Sequence, residues 1–378
     1  MKCIGFFLVL VFFGCREYYA PPVLKQAPDF LVVDGFLNGT PDSTYIRLSY
    51  TRSLNDTAPA APSLQATVMV EGNQNTLTTL TELGNGVYGN LLSLKTSEKY
   101  RLSITSRDGR KYKSDYVPFQ KTPGIDSISW SQDTSKVDFY LNTHDPQNNT
   151  FYYRWQFEET WQYSTYLTSN FDYVNGIVVP RKADQQIHNC WKSNISPSIL
   201  LANTSRLSQD VVTHFFFNSI SKSSEKIYLL YSVLIRQYAL TKDEFEYWSE
   251  LKRSSEQLGT LFDAQPSQLN SNIHCISNSS EPVLGYLSAS TIQRKRIFVG
   301  IDDLTNSNYL PYSLPCHVLK DVTTGFSPYD TSRVNEYLYM PNHLFTFWYY
   351  DGIYNVAQNF CIDCREHGGT NIKPSFWR

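Results

Sequence analysis

Cys15 stands behind a leader that makes its thiol a candidate for acylation. Met1-Lys2 gives a positive start, residues 4–13 are apolar apart from Gly5, and Gly14 places a small side chain directly before the cysteine. A charged start, a short apolar run and a small residue before the cut are the parts of a secretory signal, and the run is too short to span a bilayer. A cysteine in the first mature position reads as a bacterial lipoprotein site, where two or more acyl chains anchor firmly and one chain only marginally. Residues 1–14 are therefore expected to be a signal peptide and Cys15 the lipidated residue. The alternative is an ordinary cleaved signal beside an incidental cysteine.

Five more cysteines follow: Cys190, Cys275, Cys316, Cys361 and Cys364. An odd number allows at most two disulfides within one chain. Cys361-Ile-Asp-Cys364 has the spacing of a redox pair or half a zinc site, and Cys190 and Cys316 would complete four thiolates. In an exported chain, structural disulfides among Cys190, Cys316, Cys361 and Cys364 are the default, with Cys275 the odd thiol, buried or partly so. Glu158-Glu159 supplies two carboxyls, but neighbours on a strand point to opposite faces and would not flank one glycosidic bond. Surface charge or strand-end capping is the expectation for this pair. His144-Asp145-Pro146 with Gln147-Asn-Asn149 reads as a turn whose oxygens satisfy local N–H groups, Ca²⁺ binding being the alternative. The seven histidines form no H-E-x-x-H pair, and the G-x-S-x-G and G-x-x-x-x-G-K-[ST] patterns are missing. No catalytic residue, metal site or cofactor is therefore assigned.

Aromatic residues remain as the functional signal. They make up 15% of the chain while charged residues make up 18%, below the ~25% of an average domain, which favours ring-covered β-surfaces. Trp155, Trp161, Tyr163 and Trp348 stand in clusters that either pack inside a sandwich or line a binding surface. A net charge of -2 offers no basic footprint for nucleic acid.

The elements that would carry these residues are mainly strands. Residues 15–28 are proline-rich and suit an extended tether. Residues 29–122 read as an immunoglobulin-like or fibronectin-like β-sandwich, with about seven short alternating strands. Tyr45, Arg47 and Ser49 alternate with Ile46, Leu48 and Tyr50, while Gly84-Asn85-Gly86 and Asp108-Gly109 mark tight turns. Pro123-Gly124 punctuates a boundary, and residues 123–378 read as a larger β-rich domain with strands that include Val283 to Ala289. One amphipathic helix, 241–258, interrupts it. Thr241 and Glu244 form a capping box, Phe245, Trp248, Leu251 and Leu258 a stripe, and Gly259 a stop. Such a helix is expected to cap a core.

Several ordered blocks resemble a family of Bacteroidota lipoproteins, the domain of unknown function 4249. They include Leu31-Val-Val-Asp-Gly35, Thr143 to Trp155, Glu158-Glu-Thr-Trp161, Cys190-Trp191, Tyr231 to Tyr238, Glu246-Tyr-Trp248 and Gln257 to Gln268. Glu281 to Ser290, Cys361 to Cys364, Gly368-Gly-Thr370 and Lys373 to Trp377 continue the series to the tail. The resemblance implies an outer-membrane lipoprotein facing the cell exterior, often encoded beside a TonB-dependent receptor, and it supplies no catalytic residues. The functional expectation is a lipid-anchored binding or lid subunit partnered by a TonB-dependent barrel. A surface adhesin or envelope-assembly component, and an extracellular hydrolase, are the alternatives.

Overall fold

The computed structural model describes residues 29–52, 56–174, 177–256, 270–305, 318–319, 345–350 and 353–378. The signal, the tether, Leu258 and Gly259 lie outside them. Strands dominate, and the helix Lys242–Glu256 is the one α-helix among the described residues.

Alternation produces burial in the first unit as expected. Ile46 and Leu48 are fully buried on Thr44–Tyr50, while Tyr45 and Arg47 face water. Leu31–Gly35, Thr44–Tyr50, Val87–Asn90, Leu77–Gly84, Thr67–Gly72, Lys99–Thr105 and Lys111–Ser114 lie side by side in that order. Leu77–Gly84 serves both halves of this curled sheet, pairing through its start with Thr67–Gly72 and through its end with Val87–Asn90. The reversal after it needs positive φ at Gly84, Asn85 and Gly86, which the sequence provides.

The boundary at 122 needs correction. Ile273–Cys275 pairs with Lys111–Ser114, and Ile273, Cys275, Val283, Leu287 and Ala289 belong to the first core alongside Leu31, Leu48 and Tyr112. Val283 to Ala289 is not a strand of the second unit. Its strand is only Ala289–Ser290, paired in parallel with Leu37–Asn38, while Leu284 makes a single parallel bridge to Val32. The returning segment covers an edge strand that would otherwise expose unpaired backbone groups.

The second unit, by contrast, is built of two separate sheets packed as a sandwich. Ile125–Gln132, Lys136–His144 and Val211–Ser221 make one sheet. Asn189–Ile195, Tyr152–Ser164, Leu230–Ala239 and Ile292–Gly300 make the other, with Leu200–Asn203 also paired to Tyr152–Ser164. Between them pack Val137, Phe139, Leu141, Trp155, Phe157, Phe217, Val233 and Ile235. The tail closes against the Asn189–Ile195 edge, where Trp191 exchanges two backbone hydrogen bonds with Thr370, at 2.8 and 3.0 Å.

The helix starts as predicted, with the Glu244 N–H donating to Thr241 Oγ1 at 3.2 Å. It caps a core cluster as expected, a small one. Phe245 and Trp248 pack with Tyr238, Leu240, Ile292 and Phe36 at the seam between the two units. Glu244 is turned inward and is only 4% exposed. The Arg154 guanidinium lies between the rings of Tyr238 and Trp248, at 4.4 and 4.2 Å, and its Nε has no hydrogen-bond partner among the described residues. Burial pushes the Glu244 carboxyl up to about 7, against the opposing pull of the Arg154 charge and of hydrogen bonds from Ser288, Trp248 and the Thr241 backbone. Nearby, the Thr122 N–H donates to Thr291 Oγ1 at 2.9 Å, and Arg294 pairs with Asp42 at 2.6 Å. Among the described residues no helix is long and apolar enough to cross a membrane.

Candidate functional site

The Tyr152–Ser164 strand carries most of the residues that the sequence singled out. Its odd-numbered positions face the opposing sheet and the tail: Tyr153, Trp155, Phe157, Glu159, Trp161 and Tyr163. Trp155 is 1% exposed and donates Nε1–H to Gln237 Oε1 at 2.7 Å. Tyr163 is buried, with its hydroxyl donating to the Cys364 carbonyl at 2.6 Å. Neither ring lines an outer surface, because inward positions on a central strand are filled by packing. Trp161 is partly buried and donates to Glu225 Oε1 at 2.7 Å. The Trp348 side chain lies outside the described residues.

Glu158 and Glu159 do diverge, but surface charge is the wrong description of Glu159. Glu158 pairs with Arg236 on the outer face at 2.5 Å. Glu159 is 4% exposed and sits in the aromatic row. It accepts from Lys226 Nζ at 2.6 Å, the Tyr231 hydroxyl at 2.9 Å and Asn218 Nδ2 at 3.0 Å. Three donors offset the loss of water around this carboxylate. Burial, with Glu159 beside it, raises the Tyr231 hydroxyl well above its ordinary value, which keeps it a proton donor.

The 144–150 segment is a turn. The Asp145 carboxylate accepts N–H bonds from Gln147, Asn149 and Thr150 at 2.9 to 3.0 Å. Burial works against that charge, yet the amides hold its carboxyl below the usual range. The thiols are accounted for as well. Cys190 is bonded to Cys364 across 174 residues of sequence, and Cys361 is also disulfide-bonded. The C-x-x-C thiols therefore do not pair with each other, which removes the redox reading, and they are not available together as zinc thiolates. Cys275 is the buried free thiol expected. Cys316 lies outside the described residues.

The sequence reading passed over the outer face of the Lys136–His144 and Val211–Ser221 pair. The register between these strands shifts twice, between Phe139 and Tyr140 and between Leu141 and Thr143. Each shift marks a bulge, and bulges re-aim side chains. His214 adopts φ +52°, a left-handed conformation that costs a non-glycine residue about 1–2 kcal/mol. Asn142 holds it there, with Oδ1 accepting the His214 N–H at 2.7 Å while Nδ2 donates to Ser127 Oγ at 2.9 Å. The His214 imidazole stacks on Tyr140, centroids 3.8 Å apart and planes within 12°. Phe216 stands edge-on to Tyr140 at 5.9 Å and is 51% exposed. Strained backbone persists where surrounding structure over-determines it, and such places are enriched at functional sites. A signal was present in the sequence, because Phe215-Phe216-Phe217 on one strand must turn at least one ring away from the core.

No curated protein matches this chain. Among solved structures, a crystal structure from Bacteroides uniformis ATCC 8492, described as a "putative carbohydrate binding protein", is 10% identical. The match covers 57% of this chain and 92% of that one, with a TM-score of 0.16. A family model, Domain of unknown function (DUF4249), matches residues 16–296, and the chain belongs to that family.

Proposed function

We propose that this chain is a non-catalytic binding protein, held at the outer membrane by lipid on Cys15 and serving as an accessory subunit of a TonB-dependent barrel. The observation that carries the reading is the contrast between interior acids and exposed rings. Glu159 and Asp210 inside the sandwich, and the half-buried Asp145 in its turn, are each occupied by neighbouring donors, as a scaffold requires. A strained and solvent-facing feature that also carries exposed rings is the Tyr140, His214 and Phe216 surface, which suits capture more than bond cleavage. A lipid tether would raise the effective concentration of that surface beside the barrel, so modest affinity suffices.

Pull-down from native membranes in mild detergent, through a C-terminal tag, tests the reading. A TonB-dependent barrel recovered in equal amount is the expected outcome. Recovery of the chain alone across several detergents would overturn the partnership. A Cys15→Ser variant should leave the membrane fraction for the soluble one, and its retention there would remove the lipid anchor from the proposal.

A further inference from the structure

The exposed ring surface has a chemistry of its own, and naming its ligand class rests on the binding reading above. A pyranose ring presents C–H bonds on one face and hydroxyls around its rim. The C–H face packs on aromatic rings, and the hydroxyls pair with amides and hydroxyls placed beside them. Both halves of this arrangement are present. Phe216, His214 and Tyr140 supply the rings. On the adjoining strand Ser129 lies opposite Tyr140 and Ser127 opposite Asn142. Ser127 accepts from Asn142 and retains its own hydroxyl proton to give. Ser131 lies opposite Asp138, one alternation further along.

Charge separates this ligand class from others. Asp138, two residues from Tyr140, is neutralised by Lys136 at 2.7 Å and accepts from Ser219 at 2.6 Å. At the other end of the same strand face His144 pairs with Asp126 at 2.8 Å, so the charges flanking the rings are matched and favour neither a polyanion nor a cation. A stable protein partner would need roughly 1,000 Å² of contact with an apolar centre, whereas the strand beside these rings offers serines. We propose that Tyr140, His214 and Phe216, with Ser127 and Ser129 at their rim, form a subsite for a neutral pyranose chain.

Affinity electrophoresis of the detergent-solubilised full-length protein, in gels containing dextran, xylan, galactomannan or laminarin, tests this, with polygalacturonate as the charged control. Retardation by at least one neutral polysaccharide and not by polygalacturonate is expected. Phe216→Ser should weaken it at least tenfold without changing the thermal midpoint, since that ring is half exposed. Tyr45→Ser, which removes a comparably exposed ring from the first unit, should leave retardation unchanged. Retardation that survives Phe216→Ser would overturn the subsite. A lack of retardation by all four neutral polymers would overturn the ligand class. In either case a co-purifying barrel would leave the accessory-subunit reading standing, and loss of that barrel would remove it separately.

Discussion

Glu159 and Glu244 are equally withdrawn from water, each 4% exposed, and the fold supports them in different ways. Glu159 lies inside the second unit's sandwich and receives Lys226 directly, with Tyr231 and Asn218 completing its shell. Glu244 lies at the seam between the two units. Its nearest cation, Arg154, is clamped between two rings, and no ion pair joins the two side chains. A strand placed between neighbouring strands can recruit donors from both sides. A helix wedged between two units takes what the seam provides. Burial alone therefore does not decide how an acid is supported; the number and directness of its partners do.

The comparison is broken most directly at Glu159. Glu159→Ala leaves Lys226 and Tyr231 facing a gap beside the aromatic row, and a loss of about 3–5 kcal/mol is expected. Urea unfolding measures it, and a loss below 1 kcal/mol would mean that the network is dispensable.

Glu244 gives the next effect, and it depends on pH. Its carboxyl is raised from 4.5 to about 7 in the folded chain. Between those values the folded chain holds a proton that the unfolded chain has released, so stability falls as pH rises from 4.5 to 7 and levels off above. Glu244→Gln removes that slope. Against the parent, the variant should gain up to roughly 3 kcal/mol between pH 4 and pH 8, whatever its stability at either end. Parallel curves for the two proteins across that range would show that Glu244 titrates normally. Arg154→Met sharpens the same point by a smaller amount, because losing the cation that opposes burial should move the Glu244 titration higher still. Carboxyl carbon shifts followed through a pH series would detect it, and a downward move would contradict the role given to Arg154. The smallest change is expected at Lys242, whose pairing with Glu246 is exposed on both sides. Lys242→Ala should alter stability by no more than about 0.5 kcal/mol, and a larger loss would make the helix surface more than a solvated face.

Much of this architecture was legible from local patterns. The alternation of Tyr45 to Tyr50, the glycines at 84 and 86, and the capping pair Thr241 and Glu244 all act through immediate neighbours, so sequence reports them. The segment from Ile273 to Ala289 did not announce its destination. Its apolar residues are too irregularly spaced to show a period, and its pairing partner lies about 160 residues upstream, beyond any local pattern. Glu159 was misread because acids are rarely buried, and nothing beside it in sequence reveals that Lys226 and Tyr231 converge on it. The ring surface was half visible. Three consecutive phenylalanines required an outward ring, but its stacking partners come from other positions and depend on two bulges.

The returning segment also has a consequence in time. The first core is completed by Ala289, well after its own last strand. At ribosomal speeds of about 5–20 residues per second, synthesis from residue 122 to residue 289 takes roughly ten to thirty seconds. For that interval the amino-terminal sheet has most of its strands but not the one that covers Lys111–Ser114. A half-closed sheet with an open edge is a substrate for chaperones and for other copies of itself. Shielding the nascent amino-terminal half is thus a requirement written into the order of the chain.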